Sequence, residues 1–331
     1  MKRLHLLLIT LSLLVFPTAQ AATLKIATLA PDGTSWMKVM RAAAADIKTE
    51  TEGRVKLKFF PGGVQGGDKS VMRKMRIGQL QGGAVATGSL INISPASQLY
   101  NLPFTFRTLE ELRAIRKEFD PYIVQELAKE GYVVLGISEA GFAYMMSDEP
   151  IRTSEDAQKQ KVWVPEGDLI GETTFEKGGV EPISLPLSDV YTSLQTGLID
   201  TIVVNPTSAI ALQWHTKVKY VTDFPLLFLT GTIIINQKAF KKLTPEDQST
   251  VRRVMAQAFA DMDKQNEVDE AGARDALAQN GIEFVELSDE DKARWEELAT
   301  SAVKELASKE IYPVDIFKNL QQRLDEMRQE P

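Results

Sequence analysis

The stretch Lys161-Val162-Trp163-Val164-Pro165-Glu166-Gly167-Asp168, read together with the segment running on to Asn205-Pro206, decides the fold. Val162-Trp163-Val164 has the alternation of a short strand, which Pro165 and Gly167 stop and turn. In an open mixed α/β sheet, side chains at such a strand end face a crevice. Downstream, the run from Leu185 to Gly197 reads as a helix, with Ser188 as its N-cap and Gly197 just past its end. A strand over 198–204 then leads into Asn205-Pro206.

Working outward, Thr23 to Leu29 alternates as a first strand, Thr34 or Ser35 caps a helix to about Thr49, and Val55 to Phe60 alternates again. Strand, helix and strand in short order point to a βαβ unit and an α/β sheet. The glycine-rich loop from Pro61 to Gly67 precedes a helix over 69–77, yet it matches neither phosphate-binding signature and reads as a tight loop beneath a cleft. Thr108 and Glu111 form a capping box on an amphipathic helix that turns Leu109, Leu112, Ile115 and Phe119 inward. Strands follow over 132–138 and 231–236, with Gly141-Phe142 beginning a crossover between them. Thr244-Pro245 opens a long helix that continues towards Gln279. Ile282 to Val285 is a strand, and the last helices start at Ser288 and after Pro313.

Composition narrows the function. Residues 1–21 of the 331 read as a secretory signal: Lys2 and Arg3, an apolar core from Leu6 to Phe16, and the cleavage site Ala19-Gln20-Ala21. Its removal leaves 310 residues and takes the net charge from −7 to −9. An acidic chain without long like-charge blocks is a poor partner for nucleic acid. With no cysteine there is no disulfide, thiolate nucleophile, lipid anchor or Cys-bearing metal site. His5 leaves with the signal, so a Ser-His-Asp arrangement would depend on His215, and no G-x-S-x-G elbow accompanies it. Glu166 and Asp168 read as hinge or helix-start residues. No catalytic set, metal site or cofactor is expected, and a periplasmic hydrolase using His215 is the alternative.

Two motif blocks carry a resemblance. One is Pro150-Ile151-Arg152-Thr153-Ser154-Glu155-Asp156 with Lys161-Val162-Trp163-Val164-Pro165. The other is Pro182-Ile183-Ser184-Leu185-Pro186-Leu187-Ser188-Asp189-Val190-Tyr191 with Leu194-Gln195, Gly197, Asp200 and Asn205-Pro206. Together with Leu102-Pro103-Phe104-Thr105-Phe106, they resemble the solute-binding proteins of tripartite ATP-independent periplasmic (TRAP) transporters, over nearly the whole mature chain. The resemblance implies a two-lobed α/β fold like that of periplasmic binding proteins, with a hinge, a long bracing helix and a ligand cleft between lobes. Residues 22–139 and 229–267 would form lobe I, and 140–228 and 268–331 lobe II. It also implies a periplasmic monomer that hands a small molecule to TRAP membrane permease subunits. A tetratricopeptide-repeat partner is a further candidate, and a sensing or lipid-shuttling receptor is another alternative.

The departures from the family pattern bear on the ligand. Where the family has an arginine that forks onto a carboxylate, this chain has Trp163, which offers one N–H, an apolar face and no charge. Ala143, followed by Tyr144, stands where another arginine is common just after Gly141-Phe142. Leu90 likewise replaces a cation, and Leu187 an aromatic. Asn205 keeps its motif. Phe142 and Trp36 complete the expected site. A buried carboxylate without its cation costs several kcal/mol, so the expected ligand is apolar, aromatic or uncharged.

Overall fold

In the computed structural model, which describes residues 21–329, the expected βαβ start is present. β1 (Ala22–Thr28) leads to α1 (Ser35–Glu50), β2 (Val55–Phe60), α2 (Asp68–Arg76) and β3 (Gly82–Ala86). The signal-peptide reading and His5 fall outside the described residues, save for Ala21. β1 pairs in parallel with both β2 and β3, so the connecting helices must cross the faces of the sheet. Thr34 caps α1 by accepting from Met37 N–H at 3.3 Å, and Met37, Met40, Ala43 and Ile47 bury one face of that helix.

α3 (Leu109–Lys129) begins at Thr108 as expected, with one change. The Glu111 carboxylate passes over Thr108 and accepts from Arg107 N–H at 2.7 Å, so the capping box is only half made. β4 (Tyr132–Ser147) follows, then α4 (Ser154–Ala157), β5 (Trp163–Pro165), α5 (Leu169–Lys177) and β6 (Ile183–Leu185). Next come α6 (Val190–Thr196), β7 (Thr201–Val204), α7 (Pro206–Ala211) and β8 (Tyr220–Thr222). β9 (Leu227–Asn236) returns to the first lobe, before α8 (Gln237–Phe240) and the 35-residue α9 (Pro245–Gln279). β10 (Glu283–Val285), α10 (Asp289–Ser308) and α11 (Val314–Gln329) end the described chain.

The main sheet runs β10-β8-β4-β9-β3-β1-β2, with β7 also on β4. β4 and β9 hold it together. They pair antiparallel from Tyr132 opposite Asn236 to Ala143 opposite Leu227, after which β4 takes β7 and β8 as neighbours. One strand therefore serves both lobes. The sequence ends this strand at Ser138 and starts the crossover at Gly141-Phe142. Instead the register shifts between Glu139 and Gly141, where Gly141 takes φ +120°. A bulge of this kind bends a strand without ending it.

α9 braces this crossing. Val251, Val254, Met255, Phe259 and Met262 pack into the first lobe, while Leu277 reaches the core of the second. The contact is close at Gly136, where an added Cβ would stand 2.3 Å from the Phe259 ring. Gly136→Ala should therefore cost about 1–3 kcal/mol by overpacking, read as a lower midpoint in chemical denaturation with an unchanged slope.

A network of charges sits where β4 leaves the first lobe. Arg116 meets Glu139 at 2.9 Å, Asp263 at 3.1 Å and Asp120 at 3.1 Å. Arg113 bridges Glu139 and Glu267, both at 3.0 Å. Tyr100 O–H donates to Asp120 at 2.7 Å, and Asp263 accepts from Glu139 N–H at 2.9 Å. Helices α3 and α9 are thus tied to one point on β4.

The expected division puts α11 in lobe II, but Phe317, Leu320 and Leu324 share a core with Leu112, Ile115 and Ile123 of α3, so α11 packs on the first lobe. Arg328 forks onto Glu111 at 2.7 and 2.9 Å. By contrast, Trp295 of α10 packs with Phe175 of α5 in the second lobe.

Candidate ligand-binding site

Acids at the starts of α2 and α5 pin the loops that follow β3 and β5. On the first lobe, Asp68 opens α2 and accepts from Ala86 N–H at 3.0 Å and Ser89 O–H at 2.7 Å, which pins the loop after β3. On the second, Asp168 accepts from Gly171 N–H at 3.0 Å and caps α5, the helix-start role expected of it. Burial pushes both carboxyls above the usual range, against the hydrogen bonds they accept. Lys69 meets Glu166 across the lobes at 2.9 Å. Both side chains are exposed, so this pair marks the closeness of the lobes more than it holds them. Phe104 stacks on Phe224 with ring centroids 4.8 Å apart, a further contact of the loop ahead of α3 with the crossover region.

Several residues expected to face a ligand are core instead. Trp163 is 2% exposed, its indole N–H donates to Leu185 O at 3.0 Å, and its ring stands edge-on to Trp214 at 5.3 Å. Its one polar group is already committed. Ala143 and Leu90 are fully buried. Leu187 is half-buried against the second-lobe core, within a single 3-10 turn spanning Leu187–Asp189. That turn also removes Ser188 from the N-cap position, and Ser188 donates to Asp189 at 2.9 Å instead. Gly197 does end α6 in the left-handed region, φ +70°. Phe142 packs edge-on to Phe228 at 4.9 Å, and Trp36 edge-on to Phe59 at 6.2 Å. Tyr144 carries the Arg274 guanidinium over its ring at 5.3 Å, and burial raises its phenol pKa.

Asn205 behaves differently. Its Nδ2 donates to Ala140 O at 2.8 Å and to Glu270 at 3.3 Å, while its Oδ1 is buried with no protein partner. Glu270, on α9, also accepts from Thr207 O–H at 2.7 Å and Thr207 N–H at 3.3 Å. Among the described residues, His215 has only the Ala209 carbonyl as a hydrogen-bond neighbour, at 3.2 Å, which is not a nucleophile–base arrangement. No group of three or more His, Asp or Glu side chains among the described residues converges as a metal site.

Residues 26–310 match the family described as bacterial extracellular solute-binding protein, family 7, the DctP family. This chain belongs to that family. The uncharacterized protein YiiZ of Salmonella typhimurium is 28% identical over 210 residues, covering 62% of this chain and 63% of that protein. The C4-dicarboxylate-binding periplasmic protein DctP of Rhodobacter capsulatus is 24% identical over 265 residues, 78% of each chain. A TRAP periplasmic solute-binding protein from Xanthobacter autotrophicus, solved with bound β-D-galacturonate, superposes with a TM-score of 0.84 at 22% identity. The superposition covers 91% of this chain and 98% of that one. The two-lobed mixed α/β architecture is therefore the one expected. Family 7 is a family of extracellular solute-binding proteins, and no described helix is long and apolar enough to cross a membrane.

Sequence reasoning singled out Asn205 but missed the residues that orient it. Glu270 lies in the charge-rich run Asp261 to Glu270 of α9, where no spacing separates it from solvated neighbours. Asp68 carried a weak signal, as an acid directly after a glycine-rich loop at a helix start.

Proposed function

We propose that this protein is a periplasmic receptor that captures a small organic solute between its lobes and delivers it to TRAP-type membrane permease subunits. The observation that carries the reading is Asn205, a buried amide at the lobe junction whose oxygen no protein group uses. Delivery needs binding and release only, with hinge closure to enclose the solute.

The relatives weigh on the ligand. DctP of Rhodobacter capsulatus is named for C4-dicarboxylates, and the Xanthobacter protein holds a sugar acid. Those ligands speak against a wholly apolar solute. The half-buried Asp68 and Asp168 and the buried oxygen of Asn205 also favour a polar one. A small, polar organic molecule fits both sets of observations.

Native mass spectrometry of protein purified from the periplasm tests the reading. The expected result is a retained small molecule, released on denaturation and identified by its mass. Asn205→Ala should weaken rebinding of that molecule by about 1–3 kcal/mol, measured by titration calorimetry. Chemical conversion of the released molecule by wild-type protein, lost in His215→Ala, would overturn the receptor in favour of a hydrolase.

A further inference from the structure

We infer that Phe104 is a catch between the lobes: a first-lobe loop sets its ring and N–H against the second lobe and so favours the closed receptor. The inference rests on the receptor reading for its purpose, and adds a residue that sets how firmly the lobes hold together.

Phe104 differs from its neighbours in the loop ahead of α3. Leu102 and Phe106, on either side, belong to the first-lobe core with Leu112 and Ile115. Phe104 turns the other way and packs against the second-lobe core that contains Phe175, Leu226 and Trp295. Its ring stacks on Phe224, with centroids 4.8 Å apart and planes at 24°, and its N–H donates to Leu226 O at 2.6 Å. Facing this way takes its φ to +52°. A bulky L-residue holds that left-handed conformation only where its surroundings over-determine it. The ring and the carbonyl that Phe104 meets both lie in the other lobe. Parting the lobes would therefore remove what holds it there.

Each side of the catch is anchored. Next to Phe104, the Thr105 O–H donates to Leu102 O at 2.9 Å, and the Thr105 carbonyl accepts from Arg328 of α11 at 3.0 Å. Arg328 also forks onto Glu111, whose carboxylate takes Arg107 N–H, so the loop is fastened to the first lobe beyond the aromatic ring. Next to Phe224, Asp223 N–H donates to Val285 O of β10 at 2.9 Å. The Asp223 carboxylate accepts from Arg274 of α9 at 3.0 and 3.1 Å. An aromatic ring on a loose loop would follow the motion of the lobes, whereas two anchored rings resist it. The Lys69–Glu166 pair also joins the lobes, but it is exposed and weakened by salt. The aromatic contact does not depend on ionic strength in that way. Phe104 is thus a positioning residue for closure and need not touch the solute.

The chain has no cysteine, so Ala45→Cys in α1 and Gln195→Cys in α6, both at exposed positions, place one fluorophore on each lobe. Single-molecule energy transfer on the solute-free chain then reads the ratio of open to closed molecules, in about 0.5 M sodium chloride to screen the exposed pair. Wild type should show a closed population. Phe104→Ala and Phe224→Ala should each raise the open-to-closed ratio about three- to tenfold, the weight of one aromatic pair. The double variant should move no further than either single one, because both remove the same contact. Phe104→Tyr, which keeps the ring, should restore the wild-type ratio. A wild type without a closed population, a ratio unmoved in both single variants, or additive effects in the double variant overturns the inference. Because no solute is present, this result is separate from native mass spectrometry: a retained solute with an unmoved ratio would keep the receptor and remove the catch.

Discussion

Trp163→Arg should lower stability by about 3–5 kcal/mol, the scale for an uncompensated buried charge. It should not create a carboxylate receptor. The indole fills the second-lobe core beside Trp214, Val190, Leu194 and Ile202, and gives its N–H to Leu185 O. An arginine there could keep that one bond but would leave its charge among apolar side chains. The missing indole would add a cavity. Denaturation followed by far-ultraviolet circular dichroism should show a lower midpoint, and calorimetry with succinate should show no micromolar binding. An unchanged midpoint together with tight succinate binding would mean that position 163 faces the cleft, as its sequence register suggested.

The second large effect is expected at Arg116. Arg116→Ala leaves the half-buried Asp263 and Asp120 without this cation and takes from buried Glu139 one of its two arginine partners, and should cost about 3 kcal/mol. Arg116→Lys should recover only part, since an ammonium cannot span Asp120, Glu139, Asp263 and the Ile137 carbonyl at once. The pH dependence has a definite sign. Burial already raises the folded-state pKa of Asp120 and Asp263 in the intact protein, with Arg116 opposing the rise. Without Arg116 these carboxyls move higher still, so the folded state loses stability as pH rises through that elevated range. The deficit relative to wild type should therefore be largest at neutral pH and shrink as pH falls towards the ordinary carboxylate range. Equal deficits at both ends, followed by thermal unfolding, would show that the network acts through packing alone.

Much of the architecture was legible because local signals agreed with the fold. The helix cap at Thr34 or Ser35, the Thr244-Pro245 start and the alternation of Val55 to Phe60 each announce the element that is found. Three features were not legible, for separate reasons. Gly141 looks like a terminator, yet a register shift absorbs it and β4 continues. The apolar stripe of α11 says that a face is buried but not against which lobe. Val162, Trp163 and Val164 are all buried, so a strand covered on both sides gave the alternation no power to say which residue meets a cleft. Asn205 could be found by its motif, whereas Glu270 acts through three-dimensional neighbours 63 and 65 residues away.

The sharing of β4, β9 and α9 between the lobes also bears on how such receptors can diversify. A gene that encodes two independent modules can exchange one of them by a single recombination event in the linker. Here the chain passes from one lobe to the other inside paired strands and a packed helix, so no single breakpoint separates the halves without splitting an element that both require. New specificity in this architecture is accordingly open to point substitution around a fixed frame, and closed to the shuffling of lobes.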